Sequence, residues 1–436
     1  MKKKVLSDGP RVLMVGYNGA NNTGAEALLQ ADIEDVRAVL GPQARITVPT
    51  MNEANLRRYL TESPTLRISP MPTLYFSAIR RMVKENDLVL LAEGSTYMDT
   101  WGSPLLWAFL WATRCAAAMN KASLAYAVDA GALSAANQKR VRRIASRTDL
   151  IVTRTQAAAQ RLRGLGVTAP IQWTADNAFT FRPRVEDEGW PVRSWPRAGA
   201  GMVGLAVVDF SLWPVVMRPW GRKDSCYKWP YYFSRSPQRL RFSEEMARGY
   251  AAQADRIVER TGKAIALICM EQVDEAMAQR VLRLMKRADA ARIFSAREHN
   301  ASQMTVLLRG LELLVTSRFH AAVLSLAAGV PQIAVGHDSR LRTLYGDLGL
   351  LKEWFLDPRP AEGNQTGRPG GELFTDLADR VERLLSNPGL QEAQLRRGHA
   401  EHLCRARRNR ELLAAFVSWR LAGGTEAAQG GAEWVA

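Results

Sequence analysis

Short apolar runs of strand length alternate along this chain with longer segments in which apolar residues recur every three to four positions. The first run, Arg11–Val15, leads through a glycine-rich loop into residues 25–40, where Leu28, Leu29, Ile33, Val36 and Leu40 keep close to a helical period. Further strand-like runs fall at 45–49, 87–92, 122–128 and 150–152, with helical segments between them. The pattern restarts at 202–208 and continues through a helix at 243–260, a strand at 264–269, a helix at 274–287 and a strand at 292–294. It closes with a strand at 311–315, an apolar helix at 321–328 that Gly329 ends and Pro331 keeps from resuming, and one more strand. Such alternation predicts parallel sheets with helices on both faces. The expected fold class is α/β, with two Rossmann-like domains whose sheets face a central cleft.

Residues 1–180 would form the first domain. Residues 181–201 are rich in proline, glycine, arginine and acidic residues and show no period, so they read as a linker. The second domain would cover 202–375 with an insertion at 209–237, helices would fill 376–420, and the small-residue tail 421–436 is expected to be disordered. The most apolar long segment, 105–119, is interrupted by Arg114 and falls short of the roughly 20 residues a membrane span needs, so it reads as a buried helix.

With 436 residues the chain can bury two cores of near-equal size. Its net charge of +16, from 59 basic and 43 acidic residues, adds one thing to the pattern. A basic surface favours anionic partners, whether nucleic acid, an acidic bilayer face or phosphorylated substrates, unless it only reflects an arginine-rich proteome. No helix-turn-helix, RNA-recognition or zinc-finger pattern is present, and nucleic acid is not an expected partner. Lys2, Lys3 and Lys4 lead into VLSDGPR and not into an apolar segment, which argues against a secretory signal and for the cytoplasm. Cys115, Cys226, Cys269 and Cys404 are scattered without CxxC spacing, and Cys404 falls off the helical face of His402. Neither a disulfide framework nor a metal site is expected, and nothing calls for a cofactor.

Candidate chemistry gathers at strand-to-helix turns, which in open α/β sheets lie at the carboxyl ends of the strands, where ligands bind. Ser317, Arg318, Phe319 and His320 occupy one such turn, where an arginine, an imidazole and helix N–H groups suit a phosphate or carboxylate. Gly16, Gly19 and Gly24 in GYNGANNTG permit close backbone approach to a ligand, or a plain tight turn. Asp176 is either a partner or proton acceptor for a basic side chain, or a loop cap. The insertion interleaves Phe210, Trp213, Trp220, Tyr227, Trp229, Tyr231, Tyr232 and Phe233 with Arg218, Arg222, Lys223, Lys228 and Arg235. Flat rings among bases suit acidic glycans, a membrane headgroup zone, single-stranded nucleic acid or a domain interface. The helix at 391–416 carries six arginines between Arg396 and Arg410, either as a solvated face or as one that lies on anionic lipid.

The series Arg318, Phe319, His320, then Gly329, Val330, Pro331, then Asp338 and Arg340 resembles the Arg-Leu-His, Gly-Val-Pro and Asp-x-Lys series of the polysaccharide pyruvyl transferase family. The likeness runs from roughly Val12 to Gly349. Asn22, Gly24 and Glu26 match the opening of the family's first helix, Gly94 and Ser95 its glycine-serine loop, Arg154 its arginine, and Asp176 and Phe179 its Asp-Pro-Ala-Phe segment. The family has a basic residue directly after the strand at 202–208, where this chain has Asp209 and Phe210. Two successive α/β halves also resemble the GT-B glycosyltransferases, whose ligands lie between the halves.

What the resemblance implies is transfer of the enolpyruvyl group of phosphoenolpyruvate to a sugar, as a ketal, during synthesis of a cell-surface polysaccharide or exopolysaccharide. It implies His320 and Asp176 as catalytic residues, and Arg318, Phe319, Arg154, Arg340, Asn22, Gly24, Gly94 and Ser95 as ligands of phosphoenolpyruvate. Glu26, Trp213, Arg218, Arg222 and Asp338 would meet the acceptor, a glycan or lipid-linked sugar. Such an enzyme would work in the cytoplasm, with or without peripheral contact to the anionic inner face of the plasma membrane, alone or as an oligomer. Two other readings stay open: a GT-B glycosyltransferase using a nucleotide sugar, and a non-catalytic subunit of a glycan assembly complex.

Overall fold

The computed structural model of the chain describes residues 9–100, 102–210, 215–221, 229–233, 237–336, 338–358 and 370–421. Trp213, Arg222 and the tail 422–436 lie outside the described residues. The first seven strands are β1 (Arg11–Val15), β2 (Arg45–Thr50), β3 (Leu66–Pro70), β4 (Leu88–Leu91), β5 (Ala122–Val128), β6 (Leu150–Thr153) and β7 (Ile171–Trp173). They form one parallel sheet in the order β3-β2-β1-β4-β5-β6-β7. Leu13, Val15, Val89 and Leu91 pack into one apolar layer and Val12, Met14, Leu88 and Leu90 into the other, as strands buried on both faces must. The edge strands β3 and β7 escape the sequence pattern because LRISP and IQW hold too few apolar positions.

The second domain begins with β8 (Met202–Ala206), followed by a hairpin of β9 (Val215–Met217) and β10 (Tyr231–Phe233). Then come β11 (Ala264–Cys269), β12 (Ala291–Ser295), β13 (Leu313–Thr316), β14 (Gln332–Val335) and β15 (Phe355–Leu356). Apart from the hairpin these strands form a second parallel sheet, in the order β12-β11-β8-β13-β14-β15. The two Rossmann-like domains expected from the alternation are therefore present. Each sheet reverses its order beside its first strand, between β1 and β4 and between β8 and β13. In open α/β sheets ligands bind at the carboxyl ends of the strands beside such switch points.

Three segments gain detail that their sequence reading lacked. Residues 181–201 are folded: they include helix Trp190–Ser194, and buried Trp190 donates through Nε1 to Gln303 O at 2.7 Å, which straps the segment to the second domain. Helix Pro237–Thr261 begins at the end of the stretch read as an insertion. The last helix, Glu392–Arg420, carries most of its arginines beside carboxylates. Its Arg396, Arg397, Arg405 and Arg410 stand 2.6, 3.9, 3.8 and 2.7 Å from Glu392, Glu401, Asp347 and Asp35. Leu395 and Ala406 of this helix enter the second domain's core, and Leu413 and Phe416 enter the first domain's, so it ties the halves together. Among the described residues no helix is long and apolar enough to cross a membrane.

Candidate functional site

From the first domain, the loop after β1 delivers Asn22, whose side chain caps helix Thr23–Leu40 by accepting from Ala25 N at 3.1 Å. The same loop is bonded to the segment after β11: Thr23 N donates to Met270 O at 2.8 Å and Gln272 N to Asn21 O at 3.0 Å. Gly24 follows at the helix start, and a Cβ placed there would stand 2.0 Å from His320 Nδ1. Only a glycine lets the turn of one domain close on the imidazole of the other. After β4 the carboxylate of Glu93 accepts from Ser95 N at 3.1 Å and from Tyr17 N at 3.2 Å, which fixes the two loops against each other.

From the second domain, β13 ends in a turn where Arg318 N donates to Thr316 Oγ1 at 2.9 Å, and helix Phe319–Ser325 starts. The Arg318 guanidinium donates through Nε to Asp274 Oδ2 at 3.0 Å and through Nη1 to Glu271 Oε2 at 3.1 Å, and its Nη2 lies against Asp274 Oδ1. Glu271 and Asp274 are themselves locked as a capping box, and Tyr17 Oη donates to Glu271 Oε1 at 3.2 Å. Arg340, just beyond β14, donates through Nε to Asp338 Oδ2 at 2.9 Å and reaches across the cleft to Ser95 Oγ at 3.4 Å. Tyr17, Asn22, Gly24, Glu93, Ser95, Glu271, Arg318, Phe319, His320 and Arg340 all line one cleft of about 720 Å³, its open mouth included.

Behind this wall runs a buried line of charge. Arg154, directly after β6, donates through Nε to Asp129 Oδ2 at 3.0 Å and through Nη1 to Asp176 Oδ2 at 2.6 Å, and its side chain has no solvent exposure. Asp176 Oδ2 is also 3.5 Å from His320 Nε2. The guanidinium lies 4.7 Å from the centre of the Phe319 ring. A Cβ on Gly94 would stand 2.1 Å from Arg154 Nη1, so that glycine makes room for the arginine. Burial alone would raise the Asp176 carboxyl, but Arg154 and His320 hold it well below the usual carboxylate range. Asp274 is different: burial outweighs Arg318 and pushes it up to about 6. Burial also works against the charge on Arg318 and on Arg154, yet their carboxylate partners leave both above the usual guanidinium value.

The arrangement joins an imidazole backed by a carboxylate to two arginines at a cleft wall. That is the equipment for moving a proton beside a bound anion. It also revises several sequence-level roles. Arg154, read as a donor ligand, is sealed behind Phe319, and Gly94 serves it and is not among the residues that line the cleft. Asp176 supports His320 and also caps the turn at Asn177–Thr180, accepting from Ala178 N at 2.8 Å. Glu26, read as an acceptor ligand, is buried in the domain interface. It accepts there from Arg58 Nη2 and Ala301 N, both at 3.0 Å. Asp338 holds Arg340 and caps helix Ser339–Asp347. Arg218 sits exposed on the β9–β10 hairpin and donates to Phe233 O at 3.1 Å. Asp209, at the position where a base was expected, is buried against Ser243 Oγ.

Tyr17, Glu93, Glu271 and Asp274 are the site residues that sequence reasoning missed. The E-x-x-D spacing of Glu271 and Asp274 after a strand is a capping-box signal, and it would have marked that turn.

A search of curated protein sequences found no match. Among solved structures, HepE from Anabaena, in complex with UDP-glucose, aligns over 95% of this chain and 100% of its own, with 12% identity and a TM-score of 0.55. MnaA from S. aureus, solved with UDP, aligns over 94% of this chain and 96% of its own, with 8% identity and a TM-score of 0.59. A glycosyltransferase from Rickettsia africae aligns over 94% and 99%, with 11% identity and a TM-score of 0.54. At such identities the likeness speaks for the fold, which is GT-B-like. The sequence model of one family, described as polysaccharide pyruvyl transferase, matches residues 22–339, a span that opens at the Asn22 cap and ends beside Arg340. With most of its length matched, and with Arg318, Phe319 and His320 inside the match, this chain belongs to the polysaccharide pyruvyl transferase family.

Proposed function

We propose that the chain transfers the enolpyruvyl group of phosphoenolpyruvate to a sugar of a cell-surface polysaccharide or exopolysaccharide precursor, forming a ketal. The observation that carries this reading is the convergence of Arg318, Arg340 and His320 on one inter-domain cleft, with Asp176 behind the imidazole. The donor is a small molecule with a carboxylate and a phosphate, and two arginines suit those two anions. Ser95, Asn22 and Phe319 would complete its surroundings. His320 delivers a proton to C3 of the donor, which leaves C2 open to the first sugar hydroxyl. That hydroxyl adds and loses its proton, the C2–O bond to phosphate breaks with its electron pair going to phosphate, and a second hydroxyl adds at C2 and loses its proton. One hydroxyl proton balances the proton taken up by C3, and the other leaves with phosphate. Asp176, 3.5 Å from His320 Nε2, holds the ring.

The acceptor would be a glycan or a lipid-linked sugar, met in the cytoplasm, and a lipid-linked acceptor would bring the enzyme to the inner face of the plasma membrane. A nucleotide-sugar reaction is favoured by one observation, that proteins of similar fold have been solved with UDP-glucose and with UDP. Calorimetric titration with phosphoenolpyruvate, UDP and GDP separates the two. Phosphoenolpyruvate alone should bind, and Arg318→Ala should abolish it. Binding of a nucleotide in its place would transfer the assignment to glycosyl transfer, and silence from all three would leave a non-catalytic subunit.

A further inference from the structure

Three helices on the outer face of the first sheet carry charge of one sign. Helix Phe76–Glu85 exposes Arg80, Arg81 and Lys84, and helix Ser103–Ala118 exposes Arg114. Helix Ala135–Ala145 exposes Lys139, Arg140, Arg142 and Arg143. Glu85 is the one acidic residue in these three helices, and among the described residues none of the bases is paired with a carboxylate. Composition alone does not explain this. Helix Thr23–Leu40, on the opposite face, sets Glu26, Asp32, Glu34 and Asp35 against Arg37. The arginines of the last helix, as described above, are mostly neutralised by carboxylates of their own chain.

Apolar groups border the bases at the cleft-side end of the layer. Leu74 is 63% and Phe76 43% exposed, and the half-buried rings of Trp107 and Trp111 each carry an arginine, Arg140 and Arg114, at 5.6 Å. The β9–β10 hairpin packs onto the start of helix Ser103–Ala118, since a Cβ on Gly102 would stand 2.8 Å from Val215 O, and it exposes Met217, Trp220 and Trp229. Between hairpin and helices lies an apolar cavity of about 930 Å³, its open mouth included, lined in part by Met71, Tyr75, Leu105, Val215 and Tyr231. It shares Tyr17 and Leu105 with the catalytic cleft. Tryptophan and leucine beside unpaired bases are the mixture that sits at the boundary between headgroups and acyl chains.

We propose that this face docks on an anionic lipid bilayer, so that the apolar cavity and the mouth of the cleft open at the membrane surface. The inference goes beyond the proposed reaction and does not depend on it, because vesicle binding is read without turnover. The full chain is sedimented with vesicles of phosphatidylcholine, with and without phosphatidylglycerol. It should partition onto the anionic vesicles and release as salt rises. Arg142→Glu/Arg143→Glu should weaken that partition at least about tenfold, from roughly 1 kcal/mol for each base at the surface. Arg407→Glu/Arg408→Glu, with the same change in charge on the last helix, should leave it unchanged. Leu74→Ser/Phe76→Ser should weaken it without changing charge, with circular dichroism checking the fold of every variant. No partition onto anionic vesicles, an equal loss in both charge-reversed variants, or displacement from the vesicles by a single-stranded oligonucleotide would each overturn the proposal.

Discussion

Arg154 and Arg318 are one chemical device in two settings. Each stands at the carboxyl end of an interior strand, and each is held by two carboxylates, Asp129 and Asp176 for the first and Glu271 and Asp274 for the second. Their exposure differs: the Arg154 side chain is at 0% and that of Arg318 at 14%, on the wall of the cleft. A guanidinium and two carboxylates removed from water are held by each other, and with no part of its side chain exposed the Arg154 cluster offers no surface to a substrate anion. It is a support, and through Asp176 it positions His320. Arg318 can exchange part of its carboxylate contact for an incoming anion, and because burial pushes Asp274 up to about 6, its hold on Arg318 weakens as pH falls through that value.

Breaking the closed member should have the largest effect. Arg154→Met leaves Asp129 buried without its countercharge and Asp176 with His320 alone, and should lower the unfolding free energy by about 3–5 kcal/mol in chemical denaturation. A loss below about 1 kcal/mol would remove the distinction between the two arginines. Breaking the open member should show mainly in catalysis. Arg318→Ala should lower kcat/KM at least about 100-fold with a stability loss of about 1–2 kcal/mol, measured by steady-state kinetics beside thermal melts.

Asp176→Asn sharpens the link between the clusters, because it keeps the shape of the side chain and removes its charge from His320. We expect kcat to fall by about 10- to 100-fold with KM for phosphoenolpyruvate nearly unchanged. A rise in KM with kcat intact would instead make Asp176 a binding residue.

The smallest effect concerns Glu26, a further buried carboxylate, which burial pushes from its usual 4.5 up to about 7 against Arg58 and Asn55. The native state then keeps a proton that the unfolded chain has lost. Its contribution is full below pH 4.5 and fades as pH rises through about 7. Glu26→Gln should flatten this part of the profile, gaining on the native sequence by about 1–3 kcal/mol between acidic and neutral pH, as followed by denaturation at several pH values.

Much of this comparison was legible in the residues. Arg318, His320 and Gly329 declare a strand, turn and helix by pattern alone, Gly24 permits close approach, and Gly94 matches the family's loop. What they approach was not legible: the ligands expected there are side chains of the chain itself, His320 and Arg154. Glu26 matched a family motif at the head of a helix, yet its carboxylate faces Ala301 of the other domain. The arginines of the last helix read in one dimension as a solvated face or a lipid-facing one, and carboxylates as distant as Asp35 and Asp347 stand beside two of them.

Local pattern determined the alternation of strands and helices, the two-sheet fold class and the turns at which chemistry gathers. Periodicity and turn chemistry act over a few residues and need no partner. Tertiary structure alone decided which arginine is sealed and which faces the cleft, which carboxylate holds which base, and which helical face stays charged and uncovered. Those outcomes depend on burial and on pairing between residues far apart in the chain. Solvation and Coulomb energies are properties of the assembled neighbourhood and not of a residue's place in the sequence.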